Sequence, residues 1–158
     1  MIREMLGIAE GILQDLHDDH NEVAALIERI KACDNGAERS RLFKEMSTKL
    51  LAHAHAEQEI LYARMKNSAH EESRQFAIEG ASEHQLVEEQ VGRVNGIGAP
   101  MSDSWIAELK VLEDLIEHHV SEEEDEGFAY ARKDFDKDQF EAMGQQFQVR
   151  KREFMAGV

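Results

Sequence analysis

Apolar residues return every three to four positions along almost the whole chain, the period of an α-helix with one buried face. The period breaks at Asn35-Gly36, at Asn67-Ser68 and across Asn95-Gly96-Ile97-Gly98-Ala99-Pro100, stretches rich in residues that end helices. These breaks predict four long helices at about 4–34, 38–66, 69–95 and 103–132, with Ser102 or Asp103 as N-cap of the last. The first two connections are short enough to force antiparallel neighbours, and the third permits the same. The expected fold is all-α, an up-down-up-down antiparallel four-helix bundle. After Lys133, the residues Phe135, Phe140, Met143 and Phe147 predict a short amphipathic C-terminal helix that caps the bundle. No repeat, low-complexity run or linker marks off a second domain, so residues 1–158 are expected to form one.

At about 100° per residue, the apolar stripe of the second helix holds Leu42, Met46, Leu50, Ile60 and Leu61, and His53 and Glu57 fall inside it, one turn apart. The fourth helix repeats the pattern, with His119 and Glu123 continuing the stripe of Trp105, Leu112, Leu115 and Ile116. In the first helix His20 lies among Ala9, Leu13, Leu16, Val23 and Ile27, and in the third His84 lies among Ala77, Ala81, Val87 and Val91. Buried imidazoles and carboxylates need a partner or a metal. Each of the four histidines is near the midpoint of its helix, and midpoints meet at one level of a bundle, where core metal sites are built.

Nitrogen and carboxylate donors without thiolate suit iron, manganese or zinc, and six ligands exceed the four that a structural zinc takes. The expectation is therefore two ions, iron first, held by His20, His53, Glu57, His84, His119 and Glu123, with the glutamates placed to bridge. A slipped register that turns His55 and Glu59 inward is the main rival, although His55 shares its side of the helix with Leu51 and Tyr62.

Composition narrows the function further. The formal net charge of -15 disfavours nucleic acid and anionic membrane as partners, because both would be repelled. A lone Cys33 excludes an intramolecular disulfide and fits a reducing compartment. The opening MIREMLGIAEGILQDLHDDH interrupts its apolar residues with charges, unlike a signal peptide, and no stretch is long and apolar enough to span a membrane. A cytoplasmic location is expected. The absence of HExxH argues against a metalloprotease, and the absence of Glu-x-x-His argues against a ferritin-like iron oxidase.

The segments DDHNEV, LLAHAHAEQEILY, ASEHQLVEE and LIEHHVSEEEDEGF, with histidines 33, 31 and 35 residues apart, resemble in order the hemerythrin-like family of HHE cation-binding domains, in its bacterial branch. The resemblance implies an oxo- or hydroxo-bridged di-iron site that reacts with dioxygen, nitric oxide or peroxide, in iron, oxygen, oxidative or nitrosative stress handling. A separate redox or signalling protein is the expected macromolecular partner. A peroxide- or nitric-oxide-decomposing enzyme, or an iron–sulfur repair factor, is the alternative. Oxygen-carrying hemerythrins have HxxxH on the third helix and HxxxxD on the fourth. Here the positions four residues either side of His84 are Gly80 and Glu88, and Glu123 follows His119. The missing histidine points away from reversible oxygen transport and toward an open coordination position. Glu88 and Glu126, on core-facing stripes, and Tyr130, two turns beyond Glu123, are candidates for a further oxygen ligand or a hydrogen bond to a ligand. His17 is a candidate second-layer group, and Glu83 a candidate guide for protons or small ligands.

Overall fold

The computed structural model describes residues 10–157, which are mostly helical, with no strand among the described residues. Five helices follow one another. α1 is Gly11–Ala32; α2 runs over 36–65; α3 is Glu71–Ile97; α4 runs over 103–134; α5 is Lys137–Met155. The expected start of the first helix near residue 4, and the expected burial of Ala9, lie outside the described residues.

Local chemistry sets most of the ends. The Asn35 side chain accepts a hydrogen bond from Glu38 N, and that of Ser102 accepts one from Trp105 N, each satisfying a donor the first turn leaves free. Asp136 and Gln139 form a reciprocal capping box at the start of α5. α3 continues through Asn95-Gly96 and stops only at Gly98, whose φ of 69° is a left-handed conformation that favours glycine.

Two features depart from uniform helical geometry. α2 passes through a π turn at Gln58–Tyr62, directly after Glu57, and α4 through another at Glu123–Gly127. A π turn fits one extra residue into the helix, a device found often at functional sites, so every residue beyond it is rotated relative to a 100° count.

α1 packs on α2 and α5, α2 also on α5, and α3 on α4. The apolar interior falls into two clusters. One joins Val23, Leu26 and Ile27 of α1 to Leu42, Met46 and Leu50 of α2, Val87 and Val91 of α3, and Trp105, Leu112 and Ile116 of α4. The other joins Ile12, Leu13 and Leu16 to Leu61, Tyr62 and Met65, Phe76 and Ala77, Phe128 and Ala131, and to Phe140, Met143 and Phe147 of α5. The segment expected as a short cap is thus a 19-residue helix laid against α1 and α2. It is held by buried aromatic and Met side chains that contribute about 2 kcal/mol each. No helix among the described residues is long and apolar enough to cross a membrane.

Candidate metal centre

Between the two apolar clusters lies a polar layer. His20, His53, Glu57, His84, His119 and Glu123 are all buried there, Glu57 fully (0% exposed) and Glu123 nearly so (1%). Their donor atoms form two groups, each within 4.8 Å: His20, His53 and Glu123 in one, Glu57, His84 and His119 in the other. The carboxylates tie the groups together. Glu57 Oε1 is 3.2 Å from His84 Nε2 and 3.6 Å from His53 Nε2. Glu123 reaches His20 Nε2 at 3.2 Å through Oε1 and His119 Nε2 at 3.8 Å through Oε2. Each carboxylate therefore faces one histidine of each group.

The outer nitrogens explain why the inner ones are free. His53 Nδ1 donates to Asp19 Oδ2 (2.9 Å), His84 Nδ1 to Gln58 Oε1 (2.8 Å), His119 Nδ1 to Glu83 Oε1 (2.7 Å) and His20 Nδ1 to Glu124 Oε2 (2.7 Å). The partners form a closed ring, in which α1 supports the histidine of α2, α2 that of α3, α3 that of α4 and α4 that of α1. Each supporting residue is the sequence neighbour of a ligand-type residue on its own helix: Asp19 beside His20, Gln58 beside Glu57, Glu83 beside His84, Glu124 beside Glu123. A hydrogen bond at Nδ1 fixes the tautomer and aims the Nε2 lone pair inward, as supported metal-binding histidines require.

With Nδ1–H committed, His84 Nε2 and His119 Nε2 face each other at 3.0 Å. Two lone pairs at that distance repel unless a cation stands between them. Two ligand atoms about 2.1 Å from one ion and at right angles to each other lie about 3.0 Å apart, which is the spacing seen. His20 Nε2, both oxygens of Glu57 and Glu123 Oε1 have no hydrogen-bond partner, although buried polar atoms are nearly always paired. This donor set fits cations at both groups.

The protonation pattern of the metal-free site agrees. Burial, and then the charge of Glu123, raise Glu57 well above the carboxylate range. Burial opposes the charge of Glu123 as well, but Glu57 and His20 beside it hold it low. Burial disfavours the His20 cation, yet Glu123 and Glu124 push its pKa up to about 9. Burial lowers His53, and burial with the adjacent His119 lowers His84.

The π turns decide which other groups arrive. Tyr62, which a uniform count puts on the His55 side, is rotated into the core. It is fully buried, donates its hydroxyl to Glu123 Oε2, and stacks on His84 at 5.3 Å. Gly80 makes room for it, since a Cβ there would stand 2.8 Å from the Tyr62 ring. The expectation for Glu126 and Tyr130 fails for the same reason. Glu126 is exposed, and Tyr130 packs edge-on against Phe76, at 6.1 Å between ring centres. Glu88 is exposed too, on the rim of its helix face, with its carboxylate 3.2 Å from His55.

His17 donates to the other oxygen of Glu124 (2.8 Å) and so lies in the second layer. Glu83 orients His119 and also lies 3.3 Å from the exposed His118. The slipped register has no support. His55 is 43% exposed, and Glu59 points outward to Arg150. Asp19, Gln58, Glu124 and Tyr62 escaped sequence reasoning; adjacency to a ligand was the available signal for the first three.

An apolar cavity of about 30 Å³ is lined by the four histidines together with Val23, Leu50, Val87, Ile116 and Val120. It is about the volume of one water molecule in the liquid.

A family model described as the Hemerythrin HHE cation binding domain matches residues 11–131. A protein of Schizosaccharomyces pombe described as an uncharacterized hemerythrin-like protein is 23% identical over 94% of this chain and 71% of its own length. A DNA nickase of Nostoc sp. is 27% identical over 84% of this chain, which spans only 37% of that protein. The crystal structure of a hemerythrin HHE cation binding domain-containing protein from Mycobacterium kansasii superposes with a TM-score of 0.78, at 19% identity, covering 90% of this chain and 85% of that one. With the family model matching most of its length, this chain belongs to the hemerythrin HHE cation-binding domain family.

Proposed function

We propose that this chain is a non-haem di-iron protein that binds or reacts with dioxygen, nitric oxide or peroxide, its two ions held by His20, His53, Glu57, His84, His119 and Glu123. The reading treats residues 1–158 as one domain and α1–α4 as an up-down-up-down antiparallel bundle. The clusters support that topology. The first takes residues after His20 and His84 but before His53 and His119, and the second takes the opposite sides, as alternating helix directions require.

The observation that carries the proposal is the set of unpartnered inward atoms, above all both oxygens of the fully buried Glu57, facing Nε2 atoms whose opposite nitrogens are already hydrogen-bonded. Bound iron would supply redox chemistry and an open coordination position for a small ligand. The chain supplies the rest. Asp19, Gln58, Glu83 and Glu124 orient the imidazoles, Tyr62 steadies Glu123, and the aliphatic wall of Val23, Leu50, Val87, Ile116 and Val120 excludes bulk water while leaving space for a molecule of a few atoms. A redox or signalling protein partner belongs to the proposal, whereas nucleic acid does not. The Nostoc relative is named as a DNA nickase, but a charge of -15 on this chain repels a phosphate backbone.

The test is metal analysis of protein expressed with iron and zinc both available, followed by anaerobic reduction and separate exposure to dioxygen, nitric oxide and peroxide. The proposal expects about two iron ions per chain, ferric charge-transfer absorption, and a spectral change with at least one of the three. A mononuclear zinc protein contradicts it. Repeated consumption of peroxide or nitric oxide would select the enzymatic form.

A further inference from the structure

α5 lies beyond residue 131, outside the part of the chain that the family model matches, yet it reaches toward the polar layer. Lys151 Nζ donates to both oxygens of Asp19, at 2.9 Å and 3.1 Å. Asp19 Oδ2 is the atom that accepts from His53 Nδ1. One turn earlier on α5, Phe147 is fully buried and meets the His53 ring edge-on at 5.7 Å, while Lys151 Nζ lies over the Phe147 ring, 5.4 Å from its centroid. The approach is close enough to need a glycine, because a Cβ at Gly144 would stand 2.9 Å from the Asp15 carboxylate and 3.0 Å from Ile12 N. The other three supports, Gln58, Glu83 and Glu124, have no Lys or Arg hydrogen-bonded to them among the described residues.

We propose that Lys151 is a positioning residue for the metal centre: from α5 it fixes the Asp19 carboxylate against His53 Nδ1, so the group of His20, His53 and Glu123 depends on the C-terminal helix and the group of Glu57, His84 and His119 does not. A carboxylate with two oxygens can swing toward solvent. The ammonium group spans both oxygens and leaves Asp19 one orientation, in which His53 Nδ1–H finds its acceptor and Nε2 points inward. The proposal rests on the two-ion reading of the site.

The test uses the full metal-free chain and cobalt(II) as probe, with uptake followed by absorbance. In Lys151→Met and in Lys151→Gln, one of the two cobalt equivalents weakens about tenfold, at the low end of what loss of an outer support does, while the other keeps its wild-type affinity. Lys151→Arg restores the first. The slowly exchanging His53 Nδ1–H proton, observed by NMR in the metal-free protein, broadens or disappears in the Met and Gln variants and returns in the Arg variant. A general loss of packing would not give that rescue or spare one equivalent. Wild-type affinities for both equivalents with an unchanged His53 proton overturn the inference alone. Wild-type protein that takes up no more than one cobalt ion overturns the two-ion reading and this inference with it.

Discussion

His53–Glu57 and His119–Glu123 are the same HxxxE pattern, each running into a π turn, and they are placed in unlike surroundings. Glu123 accepts the Tyr62 hydroxyl and lies beside His20, whereas neither oxygen of Glu57 has a hydrogen-bond partner. His53 is braced by Asp19, Lys151 and Phe147 from α1 and α5. His119 is braced by Glu83, beside the exposed His118. A local pattern thus sets which side chains point inward, while other helices set how firmly each is held and in which protonation state.

The largest effect is expected at Glu57. Glu57→Gln keeps the shape and removes a carboxylate oxygen that would hold metal, so metal affinity should fall at least about a hundredfold, while the metal-free protein, in which burial already disfavours a charge at Glu57, melts within a few degrees of the wild type. Thermal melts with and without iron measure both. A much lower metal-free melting temperature would mean that Glu57 serves the fold instead.

Next comes the comparison of His53 with His55, two positions apart on one helix. His53→Ala should lose at least one equivalent of iron, and His55→Ala should lose none, as measured by metal analysis. The reverse ranking would select the slipped register, with His55 turned inward.

Acidity sharpens the contrast between the carboxylates. In the metal-free site His20 is held protonated up to about pH 9, so at pH 7 metal must displace that proton, and burial pushes Glu57 the same way, above its ordinary range. Affinity should rise with pH, by about tenfold per unit for each proton released, and calorimetry in buffers of different ionisation enthalpy should report proton release. Stability of the metal-free protein runs the opposite way. The contribution of a raised histidine is full below its ordinary pKa of 6.5 and is lost as pH rises through about 9. Melting temperature should therefore fall over that window.

The smallest effect is expected from Tyr62→Phe, which removes one hydrogen bond to a charged group and keeps the ring stacked on His84. Stability should drop by about 1–3 kcal/mol, or several degrees in Tm, with iron content retained. Loss of iron would mean that the hydroxyl belongs among the ligands.

Much of this was legible in the chain. The 3.6-residue period placed His20, His53, Glu57, His84, His119 and Glu123 on buried faces, and the break residues marked the helix ends to within a few positions. What escaped was set by interactions a uniform rotation per residue cannot represent. The π turn after Glu57 brought in Tyr62, and the one at Glu123 sent Glu126 to the surface. The supports Asp19, Gln58, Glu83 and Glu124 each serve a histidine on a different helix, so their role follows from packing and not from spacing. α5 was read as a short cap because Phe140, Met143 and Phe147 show an apolar face without saying which helices it meets.

The central claim is tested most directly by anomalous diffraction at the iron edge from crystals of the iron-loaded protein. Two peaks are predicted, roughly 3–4 Å apart, one beside His20 and His53 and the other beside His84 and His119, with Glu57 and Glu123 reaching both. A single peak, or iron found only at the surface group of Glu83, His118 and Glu122, would contradict the account.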